Sequence, residues 1–269
     1  MEFLTILLSG LLALVSPAGL IVDRIAENAI SSQFKKVDQL QVRVDNAPSY
    51  QLLQGKVERV RIAGRGLQLK QDIRIAVLEL ETDPIVLEPR SIRHRQPKLK
   101  QPIQAGVRLV LTPEDINQAL QSPTVTNMLR NLSISELGNS SGDSVQRYNF
   151  VNPRVEFLAN NRLRFQGELT QGDDKPLAIT VESGLGVIGG RKIQLIAPVV
   201  SVNGEEVPSQ VVSAIATNFS KRLDLHNFEV YGLKARILQL KVTPKELEIA
   251  AFLRVEPSAR FLKNRAMSM

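Results

Sequence analysis

The chain has 269 residues, with 34 Lys+Arg against 27 Asp+Glu, a formal charge of +7, and neither Cys nor Trp. Without Cys there is no disulfide scaffold, thiolate zinc site, iron–sulfur cluster or cysteine nucleophile. A composition 43% hydrophobic and 23% charged is globular, whereas 4% aromatic residues is poor material for stacking nucleic-acid bases.

Phe3 to Val22 carries no charge, and 14 of its 20 residues are apolar. At about 1.5 Å per residue, such a run just spans a bilayer core. Gly10, Pro17 and Gly19 interrupt it, and Phe3 to Ser16 has the length of a signal-peptide apolar region. Residues 1–22 therefore read as an export signal or an uncleaved membrane anchor, with a buried core helix as the plain alternative. Either export reading places residues 23–269 outside the cytoplasm.

Asp23 can cap a helix, after which Ile25, Ala26, Ala29, Ile30 and Phe34 recur at helical spacing. Leu40, Val42 and Val44 alternate with polar residues, as in a half-buried strand. A helical turn from Tyr50 to Gln54 is expected to stop at Gly55. Val60 and Ile62 begin a strand that should bend at Gly64-Arg65-Gly66. Ile73, Ile75 and Val77 then alternate, but Leu78 and Leu80 fall on the opposite parity, which calls for a bulge or a two-sided strand. Pro84, Pro89, Pro97 and Pro102 make residues 83–104 a loop or irregular edge. A strand at Val107, Leu109 and Leu111 leads into Thr112-Pro113-Glu114-Asp115, a strong helix start. That helical region should continue through Leu132 with a break near Ser122-Pro123. Residues 133–147 read as a loop. After Pro153, short strands follow at Val155–Phe157, Leu163–Phe165, Leu177–Val181 and Ile193–Ile196. An amphipathic helix runs from Pro208 to about Leu223. A hairpin closes the domain, with arms Ala235–Val242 and Leu247–Val255. Strands joined by short turns imply an α+β class with a mostly antiparallel sheet.

The positive surplus is local. Residues 1–89 carry 10 basic and 11 acidic residues, whereas 90–108 carry six basic and no acidic ones, and 257–269 form a basic tail. That patch reads either as a solvated loop or as a phosphate contact. Gly184 to Gly189 spells GxGxxG, yet a strand follows it rather than a helix, so a hairpin turn at Gly189-Gly190 fits better than a dinucleotide site. The two histidines, His94 and His226, stand in no metal-ligand spacing, and no nucleophile elbow marks a hydrolase. Catalytic residues, metals and cofactors are accordingly not expected.

The order of these pieces carries a resemblance. The apolar leader is followed by Asp23-Arg24-Ile25-Ala26-Glu27-Asn28-Ala29-Ile30, then by Val42-Arg43-Val44-Asp45. Pro48, Leu52-Leu53, Gly55, Val57 to Ile62 and Gly64-Arg65-Gly66 come next. Leu111-Thr112-Pro113-Glu114-Asp115-Ile116-Asn117 and the Val242-Thr243-Pro244…Leu247 hairpin complete it. Over about residues 23–256 the chain resembles the LmeA-like phospholipid-binding family, once a domain of unknown function, and its cyanobacterial members especially. The resemblance implies one extracytoplasmic, membrane-associated domain that binds phospholipid, in the periplasm or cell envelope or on the thylakoid lumen side. It also implies a curved, mostly antiparallel sheet packed on amphipathic helices, like half of a tubular lipid-binding (BPI-like) module. It brings no fixed catalytic residues.

A lipid groove needs apolar side chains that do not fill the space between them, with a few cations near its mouth. The candidate groove residues are Leu52, Leu53, Leu109, Leu111, Leu120, Met128 and Leu129, and the candidate headgroup contacts are Arg93, Arg95, Lys98 and Lys100. The expected role is non-enzymatic binding or transfer of phospholipid at a membrane surface, with no nucleic-acid partner. The alternative is an envelope structural or adaptor module whose interior is fully packed.

Overall fold

The computed structural model of the chain describes residues 27–28, 30–32, 34–46, 51, 54–69, 73–88, 98–123, 125, 149–170 and 175–259. The first sheet has six strands in the order β1 (Lys36–Asp45), β3 (Arg59–Gln68), β4 (Arg74–Thr82), β6 (Ile103–Leu111), β13 (Glu246–Val255) and β12 (Leu233–Thr243). The second has five, β11 (Glu205–Glu206), β10 (Lys192–Val202), β9 (Leu177–Ile188), β8 (Arg162–Thr170) and β7 (Asn149–Phe157). A small ribbon pairs β2 (Lys56–Val57) with β5 (Ile85–Val86). Every pairing in the three sheets is antiparallel, so α+β with an antiparallel sheet holds. The helices are α1 (Pro113–Leu120), α2 (Ser209–Arg222) and a 3-10 helix at Leu225–Tyr231, and residues 27, 28, 30 and 31 are also helical.

Alternation along the strands sorts side chains to two faces. Cross-strand register builds one apolar row from Val42 through Ile62, Leu80, Val107 and Ala251 to Ile237, spanning all six strands. On the β1–β3–β4 half, this face is sealed by Ile30 and Phe34 and by Val57, Ile85 and Leu87 of the ribbon and its flank. Side chains such as Leu78 and Ile62 are fully buried there, each contributing about 2 kcal/mol relative to exposure.

A second core joins the sheets. Val242 of β12 packs with Val155, Phe157 and Leu185 of the five-stranded sheet, and Leu120, Phe219 and Leu247 close round them. Two turns of the second sheet reach the edge strand β12. Gly190 O accepts from Ile237 N (2.5 Å), and Asn161 Oδ1 accepts from Val242 N (2.6 Å). Both turns hold paired left-handed residues, Asn160-Asn161 and Gly189-Gly190, as tight hairpins require. The second of these is the expected hairpin turn inside the GxGxxG run.

Local rules account for the helix starts. Thr112 caps α1, its hydroxyl accepting from Asp115 N while the Asp115 carboxylate accepts from Thr112 N, with Pro113 opening the helix. α2 spans the expected segment, and β12–β13 is the expected closing hairpin.

Some expectations are corrected. No bend breaks β3; Gly66 takes φ 59° within a continuous strand, where a Cβ would lie 1.9 Å from the Asp38 carboxylate. β4 is two-sided, with Ile75 buried on one parity and Leu78 and Leu80 on the other, in constant register with β3. Of the two readings for 83–104, loop or irregular edge, the described residues 83–88 and 98–104 follow the second. Ile85, Leu87 and Leu99 are buried, and Leu87 bridges Leu99, because short apolar alternations survive between the prolines. β7 begins before Pro153, which sits in a bulge between Val151 and Arg154 beside left-handed Asn152. The expected break near Ser122-Pro123 is present: α1 ends at Leu120, Gln121 and Ser122 form a turn and a bend, and residues 123 and 125 are helical again; the region beyond 125 to Leu132 lies outside the described residues, as do residues 1–22 and the basic tail beyond Ala259.

Candidate functional site

On the β6–β13–β12 half of the first sheet, the cover thins. Four cross-strand rows run Ala105–Leu253–Ala235, Val107–Ala251–Ile237, Leu109–Ile249–Leu240 and Leu111–Leu247–Val242. Val107, Leu109, Leu111, Leu247, Ile249, Ala251 and Leu253 are all only half-buried, whereas their row-mates Leu78 and Leu80 on β4 are buried. From Glu246 to Arg254, no residue of β13 reaches full burial. The wall continues across the second core to half-buried Leu163 and Phe165 on β8 and to Ile193 and Leu195 on β10. Half-buried Ile179 and Val181 extend it along β9, in register with Gly167 and Phe165. Such a wall can take up alkyl chain without displacing any charged group.

The opposite face of the six-stranded sheet is polar. It forms an open trough of about 990 Å³ whose floor is low at Ala63, Gly106 and Ala250 and whose sides are Arg43, Arg61, Arg108, Glu79 and Glu81. Its guanidiniums are tied to carboxylates. Arg108 Nε meets Glu248 at 2.5 Å and its Nη1 meets Glu79 at 3.4 Å, while Arg61 contacts Asp45 at 3.1 Å and Glu81 at 3.5 Å. The hydrogen bond to Glu248, opposed by desolvation and supported by the nearby carboxylate charges, raises the Arg108 pKa above its ordinary value. An acyl chain laid in this trough would desolvate those pairs without replacing their hydrogen bonds, so the trough is a poorer lipid site than the wall. Sequence reasoning missed the trough. Its signal is the charged parity of the same strands, Arg59/Arg61 against Glu79/Glu81, which pairs only once the register is known.

Two further charged sites brace the framework. Arg74 Nη1 donates to the buried Asp115 carboxylate (2.8 Å), linking β4 to α1, and this bond leads the causes that raise the Arg74 pKa. On the second sheet Arg164 and Arg162 flank Glu182, and the hydrogen bond from Arg164 is the main reason the Glu182 carboxyl sits below its ordinary 4.5.

Of the predicted groove residues, Leu109 and Leu111 stand on the thin-covered wall, packed against the first core. Leu120 packs in the second core instead. Leu52, Leu53, Met128 and Leu129 lie outside the described residues, as do Arg93 and Arg95. Lys98 and Lys100 are exposed on either side of buried Leu99, beside β5, where Lys100 N donates to Val86 O (2.8 Å). The structure thus places those two cations on the ribbon and not on the wall. Among the described residues, no three His, Asp or Glu side chains stand close enough to hold a metal, and no helix is long and apolar enough to cross a membrane.

In class, this is an antiparallel α+β protein of two sheets, joined at one edge strand and sharing a half-covered apolar wall. The chain belongs to the LmeA-like phospholipid-binding family, whose model matches residues 14–252, nearly the whole length. That match begins within the apolar leader, earlier than the resemblance had suggested. No curated protein and no solved structure matches the chain.

Proposed function

We propose that the chain is a non-enzymatic phospholipid binder that lays acyl chains along the wall of β6, β13 and β12. The observation that supports this is the half-burial of Leu247, Ile249, Ala251 and Leu253 on β13, beside Val107, Leu109 and Leu111. Each methylene moved from water onto such a wall is worth about 0.8 kcal/mol, so a few turns of contact give useful affinity. Leu52, Leu53, Leu120, Met128 and Leu129 extend the lining in this reading, and Arg93, Arg95, Lys98 and Lys100 meet the headgroup. The half-covered sheet corresponds to half of a tubular lipid-binding module. Residues 1–22 serve as the export signal or membrane anchor, and the domain works at the extracytoplasmic face of a membrane, carrying lipid between envelope or thylakoid membranes.

Native mass spectrometry of the extracted protein tests the reading. Phospholipid should co-purify, and a fluorescent phospholipid should be taken up in its place. Protein that holds neither would overturn it.

A further inference from the structure

One end of the molecule differs from the rest of the described surface. There the β9–β10 turn, the end of α2 and the 3-10 helix are tied together. Arg191 O accepts from Leu225 N (3.0 Å), Leu223 O accepts from Ile193 N (3.3 Å), and the backbones of Lys192 and Asp224 form an isolated antiparallel β-bridge. Four large apolar side chains project from this end: Ile188 (49% exposed), Leu223 (39%), Val230 (68%) and Tyr231 (41%). They come from three separate segments, and the 3-10 helix, at about 2 Å per residue, sets Val230 and Tyr231 about 10 Å from Leu225. Among the described residues only Ile196, Val199 and Leu238 are comparably exposed large hydrophobics.

Cations surround them. Arg191, Lys192, Lys221 and Arg222 sit on the turn and the helix end, and Lys234 and Arg236 begin β12 next to them; a Cβ on Gly190 would lie 3.8 Å from that of Arg236. The described acids near these six are Asp224, Glu229 and Glu256; Glu256 is held by Arg254 (2.9 Å), and Asp224 Oδ1 is engaged as the cap of the 3-10 helix, accepting from His226 N. Several arginines elsewhere are neutralised in place, as at Arg61, Arg74, Arg108 and Arg164, whereas none of these six clustered cations makes an ion pair among the described residues. Lys221 and Arg222 do complement the dipole of α2. That role does not account for the other four, nor for apolar side chains standing among them.

Exposed aliphatic side chains and a tyrosine ringed by unpaired cations match the chemistry of an anionic bilayer surface. The apolar groups enter the headgroup boundary while the cations meet phosphate. We propose that the end formed by the β9–β10 turn, the α2 C-terminus and the 3-10 helix docks directly on an anionic membrane, independently of the apolar leader. This goes beyond holding a lipid, because a chain could retain a phospholipid yet never dock by this surface, and the reverse.

The Trp-free sequence supplies the test. In the full chain, Val230→Trp places the sole indole at the most exposed apolar position of the 3-10 helix, and Val199→Trp places it at an exposed site roughly 20 Å along β10 from the turn. With vesicles of phosphatidylcholine and phosphatidylglycerol, the Val230→Trp emission should shift to the blue and be quenched by brominated acyl chains, while Val199→Trp stays unchanged. Lys221→Gln and Arg222→Gln should each weaken vesicle binding about fivefold, and added salt should weaken it further. An indole at 230 that stays in water on sedimented vesicles would overturn the proposal, since the leader would then dock alone. So would absence of sedimentation, or an indole already shielded without vesicles, which would mark a protein–protein contact. Co-purified phospholipid is measured separately, so failure here and failure of the lipid-binding reading are told apart.

Discussion

Asn161 ties the two sheets together, and its replacement tests how much that tie is worth. The residue sits at φ 59° in the β7–β8 turn. Its Oδ1 accepts from Val242 N (2.6 Å), and its Nδ2 donates to Leu185 O (2.7 Å). Val242 is 3% exposed, so losing Asn161 strands a buried N–H at a cost of about 1–2 kcal/mol. The bond to Leu185 adds about 1 kcal/mol. Asn161→Gly keeps the left-handed backbone and should lose about 2 kcal/mol, or about 4–8 °C in melting temperature for a chain of this size. Asn161→Ala also forces a Cβ into the left-handed region and should lose about 1 kcal/mol more. Urea unfolding followed by far-ultraviolet circular dichroism suits a chain without Trp. A glycine variant within about 0.5 kcal/mol of wild type would refute the hydrogen-bond argument. An alanine variant equal to glycine would refute the backbone argument.

Other expectations follow from the same geometry. Arg74→Ala leaves the Asp115 carboxylate buried with only the Thr112 amide, and should cost about 2 kcal/mol by urea midpoint, against about 1 kcal/mol for Thr112→Ala. Ala251→Phe places a ring on the thin-covered wall; by displacing about two methylenes of lipid it should weaken phospholipid retention about tenfold in native mass spectrometry, with folding retained. Because the folded-state pKa of Glu182 lies below its ordinary value, its stabilising effect is fully present above pH 4.5 and lost as pH falls through the depressed value. The stability gap between wild type and Glu182→Gln should therefore close in acid; a gap that widens there would contradict the assignment. Gly66→Ala meets both a positive φ and the Asp38 carboxylate, so a stability equal to wild type would show that β3 can rearrange freely.

Features governed by neighbours along the chain were legible. Thr112-Pro113-Glu114-Asp115 announces α1 because a cap, a proline and acids act within one turn. The β12–β13 hairpin follows from parity on both sides of Thr243-Pro244. Features governed by distant partners were not. Nothing near Asn161 indicates that its amide will meet Val242, 81 positions on. The strand at Ile85–Val86 hides among prolines, whose usual meaning is loop, because its reason for being extended is the burial of Ile85 and Leu87 against a remote helix and sheet. Of the proposed groove, Leu109 and Leu111 could be picked from alternation, but alternation alone does not say which half of a sheet goes uncovered. The proposed docking end was equally hidden, since the β9–β10 turn, the end of α2 and the 3-10 helix are joined only through the backbone bonds of Arg191 with Leu225 and of Leu223 with Ile193.

The tie at β12 also bears on colloidal behaviour. An edge strand normally offers a free ladder of donors and acceptors to any extended segment, including one from another molecule. On β12, the amides of Ile237 and Val242 are already spoken for, and the bulge at Leu238 throws the ladder between them out of step. An incoming strand would find two of its partners taken and the register broken between them. A molecule with a thin-covered apolar wall gains most from this at the edge that borders the wall. The protection is local, since β1 and β7 remain the other long edges of the two sheets among the described residues.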